Sequence, residues 1–141
     1  MTAVTTAYSA KNARAGGLQQ PSGGFISATF DAALANAAIT DIWQGLNIPA
    51  GMMVHDVGLI ILTIEDSAAN LTVGDSDVDG YIATCDATAL GSAGAINSSA
   101  FSTAYAGGKY YSSADTIDVT FGSACDTVKF ILYAHVSKPR I

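Results

Sequence analysis

Asp75, Asp77 and Asp79 stand at alternate positions in the run Asp75-Ser76-Asp77-Val78-Asp79-Gly80-Tyr81-Ile82. Three carboxylates spaced by two can wrap one hard cation, and a glycine in the sixth place lets the chain turn sharply. Asp86 falls where such a calcium loop carries its bidentate acid, although aspartate reaches less far than glutamate. The flanks, however, read as strands rather than the helices of an EF-hand, and Val78 stands where a polar linker is usual. The same spacing serves a strand-connecting turn in which aspartates cap backbone amides. Two expectations therefore stand side by side: calcium held by Asp75, Asp77, Asp79 and Asp86, and a capped turn that needs no ion.

Other chemistry has less to work with. The two histidines, His55 and His135, each sit inside an apolar strand pattern. Neither belongs to a metal or catalytic motif, and the chain has no nucleophile elbow, phosphate loop or dinucleotide fingerprint. Glu65 is the lone glutamate. No enzyme activity and no required cofactor are expected. Trp43, Tyr105, Tyr110 and Tyr111 could stack on sugars, but aromatic residues also dominate cores and subunit contacts. Trp43, His55, Tyr110, Tyr111, Tyr133 and His135 are the expected subunit-interface residues.

The elements that must position these residues are strands. Phe25 to Phe30 is a short β-prone run, Asp31 to Ala38 could form a helical turn, and Ile42, Leu46 and Ile48 recur at even spacing before the turn Pro49-Ala50-Gly51. Met52 to Glu65 is the longest apolar stretch; its core, Val57 to Ile64, reads as a strand buried on both faces, with Gly58 a candidate bulge. Ile117, Val119 and Phe121 alternate with Thr116, Asp118 and Thr120, so one face is core and the other wet. In Val128 to Val136 the second set (Lys129, Ile131, Tyr133, His135) is half polar, which suggests an apolar neighbour on that face. Residues 86–107 read as a long surface loop, a type that is usually functional or bound to a partner. About eight strands and almost no helix indicate an all-β chain, a single antiparallel β-sandwich of jelly-roll-like form.

Composition narrows the role. The chain has 141 residues, half of them hydrophobic and only 13% charged, against a usual charged share of about 25%. Its net charge is −6, with six Lys and Arg in all, too few to bind nucleic acid through phosphates. No apolar run is long enough for a membrane span. Residues 1–24 carry Lys11 and Arg14 and no acid, leaving −8 on the remainder. Their Gly, Pro and polar content predicts an extended arm before a domain over 25–141. The first residues lack the basic and apolar regions of a secretory signal, so synthesis in a host cytoplasm is expected. Cys85 and Cys125 read as two reduced buried thiols, with one bridge the alternative.

A resemblance adds to this. Ile48-Pro49-Ala50-Gly51, Val54-His55-Asp56-Val57-Gly58, Leu71-Thr72-Val73-Gly74-Asp75, Asp77-Val78-Asp79-Gly80-Tyr81, Gly107-Gly108-Lys109-Tyr110-Tyr111, Ala114-Asp115-Thr116-Ile117-Asp118-Val119 and Val128-Lys129-Phe130 follow one another in an order that resembles small β-sandwich virion structural proteins of tailed bacteriophages. That likeness covers about two-thirds of the chain and leaves out residues 1–35. It implies a capsid decoration or cement protein on the capsid exterior, a homotrimer, with the major capsid protein as partner. In that setting Lys11, Arg14, Leu18 and Pro21 would form a capsid-binding arm. Within the family the Asp-Gly segment is a recurring loop, which favours the turn over calcium. The alternatives are a short fibre or carbohydrate-binding adhesin module on the virion and, third, a calcium-stabilised extracellular β-module.

Overall fold

The computed structural model describes residues 23–93, 104–105 and 107–139. Lys11, Arg14, Leu18 and Pro21 of the expected arm lie outside these residues. The described residues form nine strands: β1 Gly23–Asp31, β2 Ile42–Ile48, β3 Met52–Thr63, β4 Asn70–Gly74, β5 Ile82–Asp86, β6 Gly91–Ala93, β7 Lys109–Tyr111, β8 Asp115–Phe121 and β9 Lys129–Ser137. One is more than the sequence pattern suggests, because β6 and β7 are only three residues long and leave no periodicity to read.

All pairings are antiparallel. One sheet runs β1-β9-β3, with β7 and β6 along successive parts of β3's far edge; the other runs β2-β8-β4-β5. Apart from β7, the order β1-β9-β3-β6 over β2-β8-β4-β5 is the double Greek key of a jelly roll. The first and last strands lie side by side, with Gly23 opposite Ser137 and Asp31 opposite Lys129.

Period-two alternation builds the core. Val54, Val57, Leu59 and Ile61 of β3 and Phe130, Leu132, Ala134 and Val136 of β9 face Leu46 and Ile48 of β2, Leu71 and Val73 of β4, and Ile117, Val119 and Phe121 of β8, all of them buried. Phe30, Trp43, Phe121 and Phe130 join the two sheets as an aromatic cluster with ring centres 5.1–6.3 Å apart.

Three expectations are corrected. The β3 core read as buried on both faces is buried on one only: Ile60 is half-buried and Leu62 is 44% exposed. Gly58 pairs in regular register with Tyr133, and the extra residues of β3 stand instead between Val54 and Asp56 and between Ile61 and Thr63. Bulges accept most residue types, so a glycine does not mark them. Strand β1 begins at Gly23, two residues inside the stretch read as arm. The turn after β1 does form, closed by Leu34 and Ala35 amides donating to the Asp31 carbonyl at 3.1 and 3.2 Å.

Thr72 and Thr120 face each other across β4 and β8, and both hydroxyls are buried without a hydrogen-bond partner. Valine keeps the branched shape and removes the orphaned group. Thr72→Val with Thr120→Val is expected to raise unfolding free energy by up to about 1 kcal/mol per site in urea denaturation. A loss would mean that these hydroxyls have partners in solution.

Candidate functional site

The acidic turn and the segment around Lys109 converge at one end of the sandwich. Asp75, immediately after β4, has a fully buried side chain. Its Oδ2 receives hydrogen bonds from Lys109 Nζ at 2.5 Å and the Tyr111 hydroxyl at 2.9 Å. Its Oδ1 receives the Tyr105 hydroxyl at 2.9 Å and the Asp77 amide at 3.0 Å. The Tyr111 and Tyr81 hydroxyls lie 2.8 Å apart. Lys109 Nζ also sits over the rings of Tyr105 and Tyr111, 4.4 and 4.7 Å from their centres, where the ring quadrupole attracts a cation. Gly80 makes room for this: a Cβ there would come within 2.1 Å of the Tyr105 ring.

Burial pushes the Asp75 carboxyl upward, but the bonds from Lys109, the Asp77 amide, Tyr105 and Tyr111 outweigh it, and the group lies below its ordinary value. Burial raises the hydroxyls of Tyr81, Tyr105 and Tyr111. The result is an ionised carboxylate matched by a cation and ringed by neutral phenols. It ties the β4–β5 turn of one sheet to β7 of the other.

The four aspartates of the calcium expectation are not brought together. Asp75 is engaged as above, and its bond from the Asp77 amide is the capped turn. Asp77 and Asp79 share a hydrogen bond that raises Asp77. Asp86 pairs with Asn70 at the opposite end of the β4–β5 hairpin, where its carboxylate receives the Thr88 amide and hydroxyl, bonds that lower it. Among the described residues, the carboxylates that do meet are Glu65, Asp66 and Asp126, whose oxygens lie within 4.8 Å of one another. Glu65 is buried and accepts from the Asp126, Thr127 and Val128 amides at 2.9–3.3 Å, which fixes the entry to β9. Both cysteines are free and buried, and burial pushes each thiol up to about 11.

Of the six residues expected at a subunit interface, four lie on the outward face of the five-stranded sheet. His55, Tyr133 and His135 stand on β3 and β9, and Tyr110, 41% exposed on β7, pairs with Met53. Phe25, 67% exposed, stacks on His135 at 4.7 Å, and Ile60 and Leu62 continue the face. Tyr111 departs from the expectation: its ring is buried because its hydroxyl serves Asp75 and Tyr81. Trp43 is half-buried against Phe30 and Phe130. Trp43, Tyr105, Tyr110 and Tyr111 therefore do not share one surface on which a sugar could stack.

Sequence reasoning missed Lys109 and Glu65. A signal for Lys109 was available: it is the only Lys or Arg between Arg14 and Lys129.

The jelly roll is shared with a chain in the acidic stable capsid structure of Helicobacter pylori bacteriophage KHP30, with a TM-score of 0.57 and 18% identity over 86% of this chain and 92% of that one. The likeness is one of fold. A chain of the cyanophage Pam1 capsid asymmetric unit matches with a TM-score of 0.48 and 14% identity, over 86% of this chain and 89% of that one. No protein family and no curated protein matches the sequence.

Proposed function

We infer that the chain is a structural protein of a phage virion, a decoration or cement protein that binds the capsid lattice from outside and stabilises the head. The observation that carries this reading is the outward face of the five-stranded sheet. Phe25, Ile60, Leu62, Tyr110 and Tyr133 give it an apolar and aromatic character on a chain with only 13% charged residues. Such a surface suits cover by a neighbour better than free solution. The KHP30 capsid chain gives the same fold a place in a virion. Partners in this reading are the major capsid protein and two further copies of the chain, with the N-terminal arm reaching a neighbouring subunit. Many weak contacts over a repeated lattice then add as avidity.

Purified heads and tails, separated and analysed by mass spectrometry, test the role. The protein is expected in heads, and heads lacking it are expected to melt at a lower temperature. Recovery with tails alone refutes the reading. Deletion of residues 2–22, which leaves β1 whole, is expected to abolish head occupancy while the domain still unfolds cooperatively, and unchanged occupancy removes the arm from the account.

A further inference from the structure

His55 and His135 stand on neighbouring strands of the outward face with ring centres 5.6 Å apart. Two imidazoles on one ion, at nitrogen–metal distances of about 2.1 Å and near-tetrahedral angles, place their ring centres roughly 5 to 6 Å apart. The spacing is that of a chelating pair.

A bulge creates it. Two β3 residues, His55 and Asp56, stand opposite one β9 residue, His135. Bulges re-aim side chains at such points. Here His55 is exposed and Asp56 half-exposed, between buried Val54 and Val57, so both turn to the outer face. The Asp56 charge is felt there by Tyr133, whose hydroxyl is raised by burial and then by Asp56.

The surrounding contacts orient the rings. His55 Nε2 lies 2.6 Å from Ser137 Oγ. In the tautomer whose Nε2–H donates to Ser137, Nδ1 keeps its lone pair. Phe25 stacks on His135 with the planes 20° apart, which fixes the plane of that ring. Metal-binding histidines are commonly held in this way, by a partner on the other ring nitrogen.

We propose that His55, His135 and Asp56 form a surface site for a borderline divalent transition-metal ion: Zn²⁺, Ni²⁺ or Cu²⁺. Imidazole nitrogen selects these ions over Ca²⁺ or Mg²⁺. The two histidines are the primary ligands. Asp56 is drawn in on binding, since the three groups do not all lie within 4.8 Å of one another. Ser137 is a positioning residue. Two nitrogens and a carboxylate leave at least one coordination position open to water or to a donor from a neighbouring chain.

Titration of the full-length protein with ZnCl₂ and with NiCl₂, followed by calorimetry and by histidine side-chain NMR, tests this. One equivalent is expected to bind and to shift the signals of both His55 and His135. His55→Ala and His135→Ala are each expected to lower the affinity at least about tenfold, and Ser137→Ala severalfold. Asp66→Asn, in the separate carboxylate group, is expected to leave the affinity unchanged. All four positions are surface positions, and a thermal melt of each variant confirms folding. No histidine shift at millimolar Zn²⁺, or affinity retained in both histidine variants, overturns the proposal.

Discussion

Lys109→Met is expected to lower the unfolding free energy by about 3 kcal/mol at pH 7, the low end of what removing one partner of a buried ion pair costs. The low end applies because the Lys109 side chain is 26% exposed, whereas that of Asp75 is fully buried. In the variant Asp75 keeps the Asp77 amide and the hydroxyls of Tyr105 and Tyr111 but has no cation. The dependence on pH separates this cause from lost packing. In the wild type, burial raises Asp75 but hydrogen bonds led by that of Lys109 bring it below its ordinary value. Its stabilisation is therefore present above the unfolded value, about 3.9, and is lost as pH falls through the folded value. Without Lys109 the largest of the lowering contacts is gone while burial remains, so the folded value is expected to rise. A raised carboxyl stabilises at low pH and loses that contribution as pH rises. The gap between wild type and variant should be widest near neutrality, narrow in the acid range as the variant's carboxylate takes up its proton, and close only once pH falls below the wild type's folded value, which lies under the ordinary one. Urea denaturation at several pH values measures it, and a gap constant with pH would assign the loss to packing.

The second large effect is expected at Phe130. Phe130→Ala should cost about 4 kcal/mol, the range for truncating a fully buried aromatic residue. Phe130 stacks against Phe30 of its own sheet at 5.4 Å and meets Trp43 of the other sheet edge-on at 5.6 Å, with Phe121 at 6.3 Å. Its removal opens a void where the layers join, and strands cannot close it without breaking register. Phe25→Ala on the same sheet should cost within about 0.5 kcal/mol, because that ring is 67% exposed. Equal costs for the two variants in denaturant titrations would refute this division of the sheet into a core face and an outward face.

The parts of the fold that could be read in advance are those with local periodicity. Strands β8 and β9 alternate so regularly that their inward residues follow from the sequence. The alternation of β9 likewise puts Ile131, Tyr133 and His135 on its other face, where they are half-buried or exposed. Strand β3 misled because Leu59, Ile60, Ile61 and Leu62 are apolar in succession; a run of this kind does not say whether its second face meets another layer or solvent. The bulge at His55 left no trace, because it depends on the register with β9 rather than on residue type. The Asp75 turn could be seen, but its meaning could not. Lys109 and Tyr111 lie 34 and 36 residues further on. Only the jelly-roll path, which carries the chain from one sheet to the other, places them against that carboxylate.

The pairing of the first strand with the last has a mechanical consequence. Because Gly23 lies opposite Ser137, the two ends of the sandwich leave from the same point on the same sheet. Tension between them would load the β1–β9 ladder one hydrogen bond at a time, as a zip opens, instead of shearing all its bonds together. A domain pulled in this way yields at low force. An end-tethered copy would peel from β1 inward, whereas the same copy held across its broad sheet face would carry load through the whole ladder.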